Sequence, residues 1–581
     1  MTPKDYTDTE HRDDVKVLHG MGYAQELTRR MGPFQNFAIS FAIICIVAGG
    51  VTAFPAALSA GGGGSIGYIW PLGSLFALLV AAAMGQVSSS YPTAGGIYHW
   101  SSILGGRGFG WAAAWFNLLG LLFVVSSVNF GLFNLFRDLF LAQVVGMDVT
   151  SWTPAGEFSQ GWWIQTVFIA AVTVVQAILN HYFLRITTIL TDWSGYIIMA
   201  TAIVLTLALL AFAPSLNFGR LFTFTNFTGD AGGGVWPQAQ VFLYVAALGL
   251  LHAVYTITGF DASAHTSEET RNAQREVPKG MIRSVFWSGL FGYFMVCAMV
   301  LALPDQTDAS GTVTDGVAAG AKQGWASFNW LIQTSAMPFV LKALIIIGIV
   351  VSNFLCALAG LTSCSRMLYA FARDGGLPMS DVLKQVSPVH RTPGAAIWVG
   401  GVLSIVATLY GGAFLVLSTG CAVFLYLSYL MPIAAALKGE LGGEWTNKGP
   451  FNLKAASIPI AVLAILGCAL LIFAGVQPPQ EKVFYLIVLM ILALAAFWFA
   501  MEGKAPIGAI FAALTVAAVY YFWRDPESQF GLWAAIVVAV VMAALLFVLR
   551  GKRFAGPPIG DEIARRRAVI AAAEAAVGER A

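Results

Sequence analysis

The feature that most constrains this chain is the repetition of apolar runs of about 20 residues, the length that an α-helix needs to cross a hydrocarbon core. Fourteen such runs recur along the 581 residues. They are continuous rather than alternating, which excludes a membrane β-barrel. Only 11% of the residues are charged, against roughly 25% in a soluble protein, so lipid is the expected solvent. The runs are Phe34–Ala60, Ile66–Ser88, Trp111–Leu135, Trp162–Leu179, Trp193–Pro214, Ala239–Thr266, Ile282–Pro304, Phe339–Ala372, Ala395–Leu409, Ala413–Leu437, Ala456–Val476, Val483–Met501, Ile507–Phe522 and Trp533–Leu549.

The distribution of lysine and arginine predicts the orientation of these runs. With both termini in the cytoplasm and the runs alternating, all but six of the 32 lysines and arginines fall on the cytoplasmic side. The positive-inside rule therefore predicts a multi-pass protein of the cytoplasmic (inner or plasma) membrane, with both termini cytoplasmic. The six on the outer side are Arg137, Arg220, Lys322, Lys342, Lys482 and Arg524.

The sequence also argues against several classes of function. It contains no Walker loop, no HExxH motif and no nucleophile elbow, so we expect no enzyme activity, no metal site and no cofactor other than a coupling ion. The net charge of +2 and the lack of a basic patch indicate no nucleic-acid partner. The expected partners are a small-molecule substrate and the lipid bilayer, and the oligomeric state stays open.

Two of the runs are interrupted near their middle. The first contains Gly49 and Gly50 followed by Pro55, and the sixth contains Thr258-Gly259-Phe260-Asp261. In lipid, such a break survives only where it is buried or lines a cavity. Because the breaks lie five runs apart, runs 1–5 and 6–10 are predicted to be inverted copies with a binding site between the breaks, as in secondary transporters. The alternative for the glycine pair is close helix packing.

Five motifs resemble those of the amino acid–polyamine–organocation transporters, in the amino acid/choline permease branch. The resemblance implies an all-α five-plus-five inverted-repeat fold with broken helices 1 and 6, 12–14 transmembrane helices, and alternating access. The expected parts are a tail (1–33), a core (34–437, with repeats 34–214 and 239–437), additional helices (456–549) and a second tail (550–581). The motifs are Val-Ala-Gly-Gly-Val-Thr (47–52), Ser-Ser-Tyr-Pro-Thr-Ala-Gly-Gly-Ile-Tyr-His-Trp (89–100), Thr-Gly-Phe-Asp-Ala-Ser-Ala-His-Thr-Ser-Glu-Glu-Thr (258–270), Ser-Arg-Met-Leu-Tyr-Ala-Phe-Ala-Arg-Asp-Gly-Gly-Leu-Pro (365–378) and Arg-Phe-Ala-Gly-Pro-Pro (553–558).

Candidate substrate-binding residues follow from the two breaks. A break at the glycine pair would expose amides at the start of a half-helix, where a substrate carboxylate binds without an arginine. The preceding carbonyls, from Ile46 to Ala48, would accept from an ammonium group. At the second break Phe260 either covers the substrate or packs against protein. The substrate-binding candidates are Ala48, Gly49, Gly50, Val51, Thr52, Thr258, Gly259, Phe260 and Asp261.

Asp261 has competing interpretations. It is either the N-cap of the restarting half-helix, accepting from the amides of Ser263 or Ala264, or a carboxylate that pairs with the substrate amine or carries a coupled proton. His265 lies on the same helix face and either titrates with Asp261 or makes an interfacial hydrogen bond. An amino acid substrate is favoured over a choline-like or polyamine cation, and a transporter over a non-transporting sensor.

The remaining candidates concern coupling and gating. A sodium site would combine the carbonyls of Ile46 and Val47 with hydroxyls of the eighth run; proton coupling and exchange are the alternatives. Glu268 and Glu269 are expected to form ion pairs with Arg271, Arg275 and Lys279, or to act at an inner gate. Tyr91, Pro92 and Arg366 are expected to be gate or structural residues. His99 stands where the resemblance implies an aromatic residue. The hydroxyl candidates are Thr362, Ser363 and Ser365.

Overall fold

The computed structural model describes residues 8–307, 309–377, 379–409, 413–478, 480–523, 554, 556–558 and 561–576. Thirteen of the fourteen predicted runs coincide with helices in this part of the chain, and the last, Trp533–Leu549, lies outside the described residues. The helices are helix 1 (Pro33–Ile44, Ile46–Thr52 and Phe54–Gly64), helix 2 (Trp70–Ser90), helix 3 (Arg107–Leu135), helix 4 (Gln160–Tyr182), helix 5 (Leu184–Ala211), helix 6 (Phe242–Thr256 and Ala262–His265), helix 7 (Ala273–Leu301), helix 8 (Phe339–Arg373), helix 9 (Gly394–Ala407), helix 10 (Ala413–Leu441), helix 11 (Ser457–Gly475), helix 12 (Glu481–Met501) and helix 13 (Ala505–Trp523).

Shorter elements lie at the ends of these helices. The N-terminal segment forms a helix, Asp8–Gly20, and the described C-terminal residues form two, Asp561–Arg565 and Arg567–Ala576. Helix 3 continues into a π-helix, Phe136–Val145, and a short α-helix, Ile97–Gly105, connects helices 2 and 3. Between helices 7 and 8 lie a two-stranded hairpin, in which Gln306–Thr307 pairs antiparallel with Val313–Thr314, and the helices Gly316–Lys322 and Ser327–Thr334.

The bundle has the surface of a membrane protein. Ten helices of the described chain are long and apolar enough to cross a bilayer, and three further apolar helices (6, 9 and 13) are shorter. Large apolar side chains point outward on helices 5 and 11, among them Leu207 and Phe473. The polar side chains of Asn117, Asp261 and Ser428 are instead buried inside the bundle. This inside-out distribution is what a lipid solvent requires.

Helix 1 is interrupted, but not at the predicted residues. Its first break lies at Cys45, which has a left-handed backbone with φ of 34°. Gly49 and Gly50 lie inside the next helical piece, Ile46–Thr52. A Cβ added to Gly49 would lie 2.9 Å from the Thr256 Cα, so this glycine allows helices 1 and 6 to meet backbone to backbone. The pair serves helix packing, the alternative interpretation, rather than the break itself.

Helix 6 is interrupted where the sequence predicts it. The first piece ends at Thr256, and the second begins at Ala262. Gly259 between them has φ of 82°, a conformation that favours glycine. Two tyrosines of helix 10 bind the backbone freed by the break: the Tyr426 hydroxyl donates to the Ile257 carbonyl at 2.8 Å, and the Gly259 amide donates to the Tyr429 hydroxyl at 3.2 Å.

The two ends of the bundle differ. At one end, which we call the tail face, residues 8–31 and the described C-terminal residues pack against each other, against residues 265–272 and against the end of helix 8. The N-terminal tail is therefore part of the folded bundle, with Leu18, Tyr23 and Leu27 buried. At the other end, the vestibule face, an open cavity enters the bundle beside helices 1, 3 and 10.

Candidate functional site

A small cavity lies at the centre of the bundle, between the two broken helices. Ala48 and Gly49 of helix 1 and Tyr255 and Thr258 of helix 6 line it, together with Ser127 of helix 3. Its volume is about 20 Å³, enough for one water and too small for an amino acid. A substrate of that size requires the surrounding helices to move apart.

The central cavity presents hydroxyl groups to whatever occupies it. The Tyr255 hydroxyl lies 3.4 Å from the Ser127 hydroxyl. The Thr258 hydroxyl oxygen is buried and has no hydrogen-bond partner among the described residues. A buried polar group without a partner costs about 1–3 kcal/mol, so an occupant of the cavity that bound this hydroxyl would offset that cost.

The structure divides the predicted substrate residues of helix 1 between several environments. Ala48 and Gly49 line the central cavity, whereas Val51 and Thr52 line the cavity at the vestibule face. Gly50 lies against the Met295 side chain, which a Cβ would approach to 2.6 Å.

The free amides of helix 1 do not lie at the predicted residues, Gly49 through Thr52. The Gly49 amide donates to the Cys45 carbonyl at 3.0 Å, so the half-helix starts before the glycine pair. A helix leaves its first amides without intrahelical acceptors, and here these belong to Ile46, Val47 and Ala48 rather than to Gly49 through Thr52. The sequence misplaced them because the break occurs at a residue with no intrinsic preference for it.

Phe260 is fully buried and packs against protein. Its ring centroid lies 4.9 Å from that of Tyr429 and 6.4 Å from that of Tyr426. Its carbonyl accepts from the Ser40 hydroxyl at 2.7 Å. In this conformation the ring supports the break from the helix 10 side and does not line the central cavity.

Asp261 is not the side-chain cap of the restarting helix. The Ser263 amide donates to the Ser40 hydroxyl at 2.9 Å, and the Ala264 amide donates to the Asp261 backbone carbonyl at 2.8 Å. The carboxylate points away from these amides. It accepts from the Tyr429 hydroxyl at 2.7 Å and from the Asn117 amide at 2.9 Å. The capping hypothesis is therefore wrong, because a serine of helix 1 and a backbone carbonyl bind the amides first.

His265 contacts Asp261 directly. Its Nε2 lies 3.1 Å from the Asp261 Oδ2, and its Nδ1 lies 3.1 Å from the Ala94 carbonyl oxygen. Both side chains are completely buried. The histidine thus connects the break of helix 6 with the turn that follows helix 2.

The cavity at the vestibule face has a volume of about 480 Å³. Its walls combine aromatic residues, Phe130, Trp325 and Phe414, with the ion pair between Arg137 and Asp138. A second small cavity of about 30 Å³ lies between it and the centre, and Tyr255 borders both this space and the central cavity. A path from the vestibule face to the centre is therefore partly formed.

The tail face is closed by ion pairs, although not by the predicted ones. Arg373 binds Glu268 through two nitrogens at 2.9 and 3.0 Å. Arg366 binds Glu269 at 2.9 Å. Helix 8, rather than the segment 271–279, supplies both cations, and Lys279 pairs with Glu276. Sequence proximity misled the prediction because the fold brings the end of helix 8 beside residues 268 and 269.

Two carboxyl groups of the tail face, those of Glu268 and Asp374, are held in their charged form. Burial alone would raise the pKa of Glu268, but the Arg373 guanidinium and the Ala94 amide hold it below its ordinary value. Burial likewise opposes ionisation of Asp374, yet its hydrogen bond with His99 and the nearby Arg373 hold the pKa of this carboxyl below its usual range. The closed tail face is therefore charged and paired at neutral pH.

A second layer surrounds Arg373. The Tyr23 hydroxyl donates to Asp374 at 2.7 Å, and the Tyr23 ring stacks on His99 with centroids 4.9 Å apart. His99, at the position where an aromatic residue was expected, binds Asp374 at 3.2 Å. The Arg373 guanidinium lies 4.1 Å from the Tyr23 ring centroid. The N-terminal segment is thus attached to the end of helix 8.

The other predicted gate residues, Tyr91, Pro92 and Arg366, make contacts that stabilise the fold. Tyr91 ends helix 2, and its carbonyl accepts from the Trp100 indole at 2.8 Å. Pro92 is buried in the turn that follows. Arg366 is nearly fully buried in its pair with Glu269.

The predicted sodium ligands of helix 8 lie beyond the residues of this helix that contact the first break. On helix 8, the residues that reach the first break are Ser352 and Cys356, whose contacts are the Cys45 thiol and the Ile43 carbonyl. Thr362 lies six residues beyond Cys356, about 9 Å along the axis, and its hydroxyl binds Asn180 at 2.6 Å. Ser365 bonds to the Thr362 carbonyl, and Ser363 has no partner among the described residues. The sodium site therefore stays a prediction, with Ser363 as its unpartnered hydroxyl in the described part of the chain.

Several site residues escaped the sequence analysis. Asn117 and Tyr429, which bind Asp261, and Arg373, which binds Glu268, come from helices 3, 10 and 8. An asparagine in the middle of an apolar run was the one available signal for Asn117, because a buried amide in lipid needs a partner. The tyrosines gave no signal, since tyrosine also occurs at membrane surfaces.

Comparison with known proteins gives a consistent set of relatives. The sequence profile of a family described as "Amino acid permease" matches residues 32–493. The "Amino-acid permease BAT1" of Arabidopsis thaliana is 31% identical over 77% of this chain and 85% of its own length. The "Amino-acid permease 2" of Neurospora crassa is 25% identical over 78% of this chain and 79% of its own. The "GABA-specific permease" of Saccharomyces cerevisiae is 26% identical over 68% of this chain and 66% of its own.

Proposed function

The chain belongs to the amino acid permease family and is a secondary transporter rather than an enzyme, and we propose that its amino acid substrate binds between the broken helices 1 and 6. The observation that carries this proposal is the central cavity, where the broken segments of both helices meet around Thr258. Such a location, at the interface of two discontinuous helices, is where secondary transporters bind their substrates.

We further propose that the tail face is cytoplasmic and that the conformation described is open toward the outside. The excess of lysine and arginine on the side of the termini supports this orientation. The large cavity at the vestibule face and the ion pairs of Glu268 and Glu269 at the tail face support this state. Transport then requires these pairs to separate while the vestibule closes.

The substrate is proposed to carry both a carboxylate and an amine. The amides of Ile46, Val47 and Ala48 begin a half-helix at the break, and Ala48 lines the central cavity. The hydroxyls of Ser127, Tyr255 and Thr258 line it as well, beside apolar side chains and two thiols. Asp261 already accepts from Asn117 and Tyr429 and contacts His265, so it is not available to a substrate cation in this conformation. This favours an amino acid over a choline-like or polyamine cation.

Thermal stabilisation of the purified full chain tests the proposal. The panel is the protein amino acids, γ-aminobutyrate, choline and polyamines, each with and without sodium. A ligand at 100 times its dissociation constant raises the free energy of unfolding by about 2.7 kcal/mol. We expect stabilisation by at least one amino acid, and a loss of most of that effect in Thr258→Val, which removes the unpartnered hydroxyl.

The matched control is Thr515→Val in helix 13, which removes another buried hydroxyl far from the cavity. It should respond to the same amino acid as the unmodified chain does. Stabilisation that persists unchanged both in Thr258→Val and in Ala48→Leu, which fills the cavity, would place the substrate elsewhere. Stabilisation by choline or polyamines alone would contradict the substrate class.

A further inference from the structure

The contacts of His265 require more protons than a neutral imidazole carries. One ring nitrogen faces the Ala94 carbonyl and the other faces the Asp261 carboxylate, each at 3.1 Å. A carbonyl oxygen can only accept, so Nδ1 must carry a proton to bind it. An ionised carboxylate also can only accept, so a second proton must lie between Nε2 and the Asp261 Oδ2.

The other partners of Asp261 do not supply that second proton. The Asn117 amide reaches Oδ2 at 2.9 Å, and the Tyr429 hydroxyl reaches Oδ1 at 2.7 Å. Both groups donate to the carboxylate and therefore stabilise its ionised form. The extra proton must then come from the histidine side of the contact between Nε2 and Oδ2. The pair is completely enclosed, so no bulk water substitutes for a missing contact.

We propose that Asp261 and His265 together form the proton-binding site of this transporter, and that the bound proton stabilises the closed tail face. The inference rests on the proposed function and adds its coupling ion. If the proton leaves, one ring nitrogen presents a lone pair to an acceptor oxygen, and one of the two 3.1 Å hydrogen bonds breaks. Protonation and this arrangement of helix 6 are therefore linked.

Ala94 connects the proton site to the ion pairs. Its carbonyl accepts from His265, and its amide donates to the Glu268 Oε1 at 3.0 Å. Glu268 in turn binds Arg373 of helix 8. A single residue in the turn after helix 2 thus holds the histidine on one side and the carboxylate of the tail-face ion pair on the other. Loss of the proton weakens the first contact and with it the position of the turn.

The neighbouring ionisable groups are compatible with this assignment. The ionised neighbours form pairs of their own: Glu268 with Arg373, Glu269 with Arg366, Asp374 with Arg566, and Glu276 with Lys279 of helix 7. His99 binds Asp374 as well. Tyr429 and Cys421 of helix 10 are the titratable groups of that helix that act on Asp261 most directly.

The test uses the full chain in liposomes, with radiolabelled γ-aminobutyrate and the protein amino acids as probes. Two quantities are measured: accumulation driven by an outside pH about two units more acid, and counterflow exchange at equal pH. One coupled proton sustains up to about 100-fold accumulation across such a gradient. We expect at least tenfold gradient-driven accumulation in the unmodified chain. In His265→Gln and Asp261→Asn the gradient-driven accumulation should fall at least tenfold relative to the counterflow of the same variant, because exchange needs no net proton movement.

His181→Gln is the control, since His181 lies at the end of helix 4, where its Nδ1 accepts from the Trp398 indole. It should keep the gradient response. Gradient-driven accumulation that survives in both Asp261→Asn and His265→Gln overturns the proton site. Counterflow without any gradient response in the unmodified chain overturns it too, while leaving the transporter intact.

Absence of counterflow for every probe contradicts the proposed substrate class instead. If neither variant folds, a pH-sensitive dye inside the liposomes decides from the unmodified chain alone. Acidification that accompanies amino acid entry supports the site, and its absence overturns it.

Discussion

The breaks of helices 1 and 6 perform the same task with different chemistry. Helix 6 turns at Gly259, and hydroxyls of Tyr426, Tyr429 and Ser40 bind the backbone around it. Helix 1 turns at Cys45, whose amide still donates to the Phe41 carbonyl at 3.1 Å. The nearby Ile43 carbonyl accepts from a thiol, that of Cys356. Only one of the two breaks therefore contains a residue suited to its backbone conformation.

The comparison teaches that a glycine in a membrane helix has two separate uses. Gly259 is required by its own φ angle and also by its contact with Ile43, whereas Gly49 is required by the space that a neighbouring backbone occupies. In helix 1, cysteine has no preference for the left-handed conformation of Cys45, so we expect the surrounding packing to hold it. Substitutions that change backbone freedom and contact volume separately test this distinction.

The largest effect is expected for Gly259→Ala. An alanine there would adopt a left-handed conformation, and its Cβ would lie 2.3 Å from the Ile43 Cγ2. Strain and overpacking together cost about 3 kcal/mol or more of unfolding free energy, with loss of transport. Thermal unfolding of the purified variant measures the cost.

Gly443→Ala separates the two causes of this loss. Gly443 has φ of 70° and nothing within 4 Å of an added Cβ, so it reports the backbone strain alone, about 1 kcal/mol. Equal losses at both positions would show that the contact with Ile43 contributes nothing.

A smaller loss is expected for Gly49→Ala. The Cβ would approach the Thr256 Cα to 2.9 Å, and a backbone atom yields only if the two broken helices separate. We expect a loss of about 2 kcal/mol in unfolding free energy. We also expect slower uptake of the amino acid that stabilises the unmodified chain against thermal unfolding. The control is Gly401→Ala in helix 9, where the nearest atom lies at 3.6 Å; this variant should gain about 0.5–1 kcal/mol. Equal stability of both variants would contradict the packing role of Gly49.

Gly50→Ala should be tolerated better than its neighbour. The atom closest to the added Cβ is the Met295 Cε at 2.6 Å, the end of a flexible side chain that can turn aside. The gain in helix propensity offsets the contact, so the net change should stay within about 1 kcal/mol. A loss as large as that of Gly49→Ala would indicate that the piece Ile46–Thr52 of helix 1 tolerates no displacement.

The smallest effect is expected for Cys45→Ala. Alanine is no less suited to φ of 34° than cysteine is. The substitution removes only a weak hydrogen bond, from the Cys45 thiol to the Ser352 carbonyl at 3.6 Å. The unfolding free energy should change by less than about 1 kcal/mol, as measured by thermal unfolding. A large decrease would mean that the thiol, rather than the surrounding packing, holds the break of helix 1.

The sequence predicted the helices and the existence of the breaks because both depend on local chemistry. Apolar runs specify membrane helices, and Gly259 marks its own turn. The position of the first break was wrong because packing, not Cys45 itself, determines it. The partners of Asp261 and Glu268 could not be predicted because Asn117, Tyr429 and Arg373 lie far away in the chain. The His265 contact was foreseen as one alternative because a spacing of four residues is a local property of a helix.

The attachment of the two chain ends to each other has a consequence for biosynthesis. Glu574 binds the His19 imidazole at 2.7 Å and the Gln25 backbone amide at 2.9 Å, residues that precede it by 555 and 549 positions. The N-terminal segment cannot make these contacts until the helices between it and Glu574 have been synthesised. This part of the tail face therefore forms late, so a permease made only as far as helix 13 lacks part of the seal that the folded chain carries.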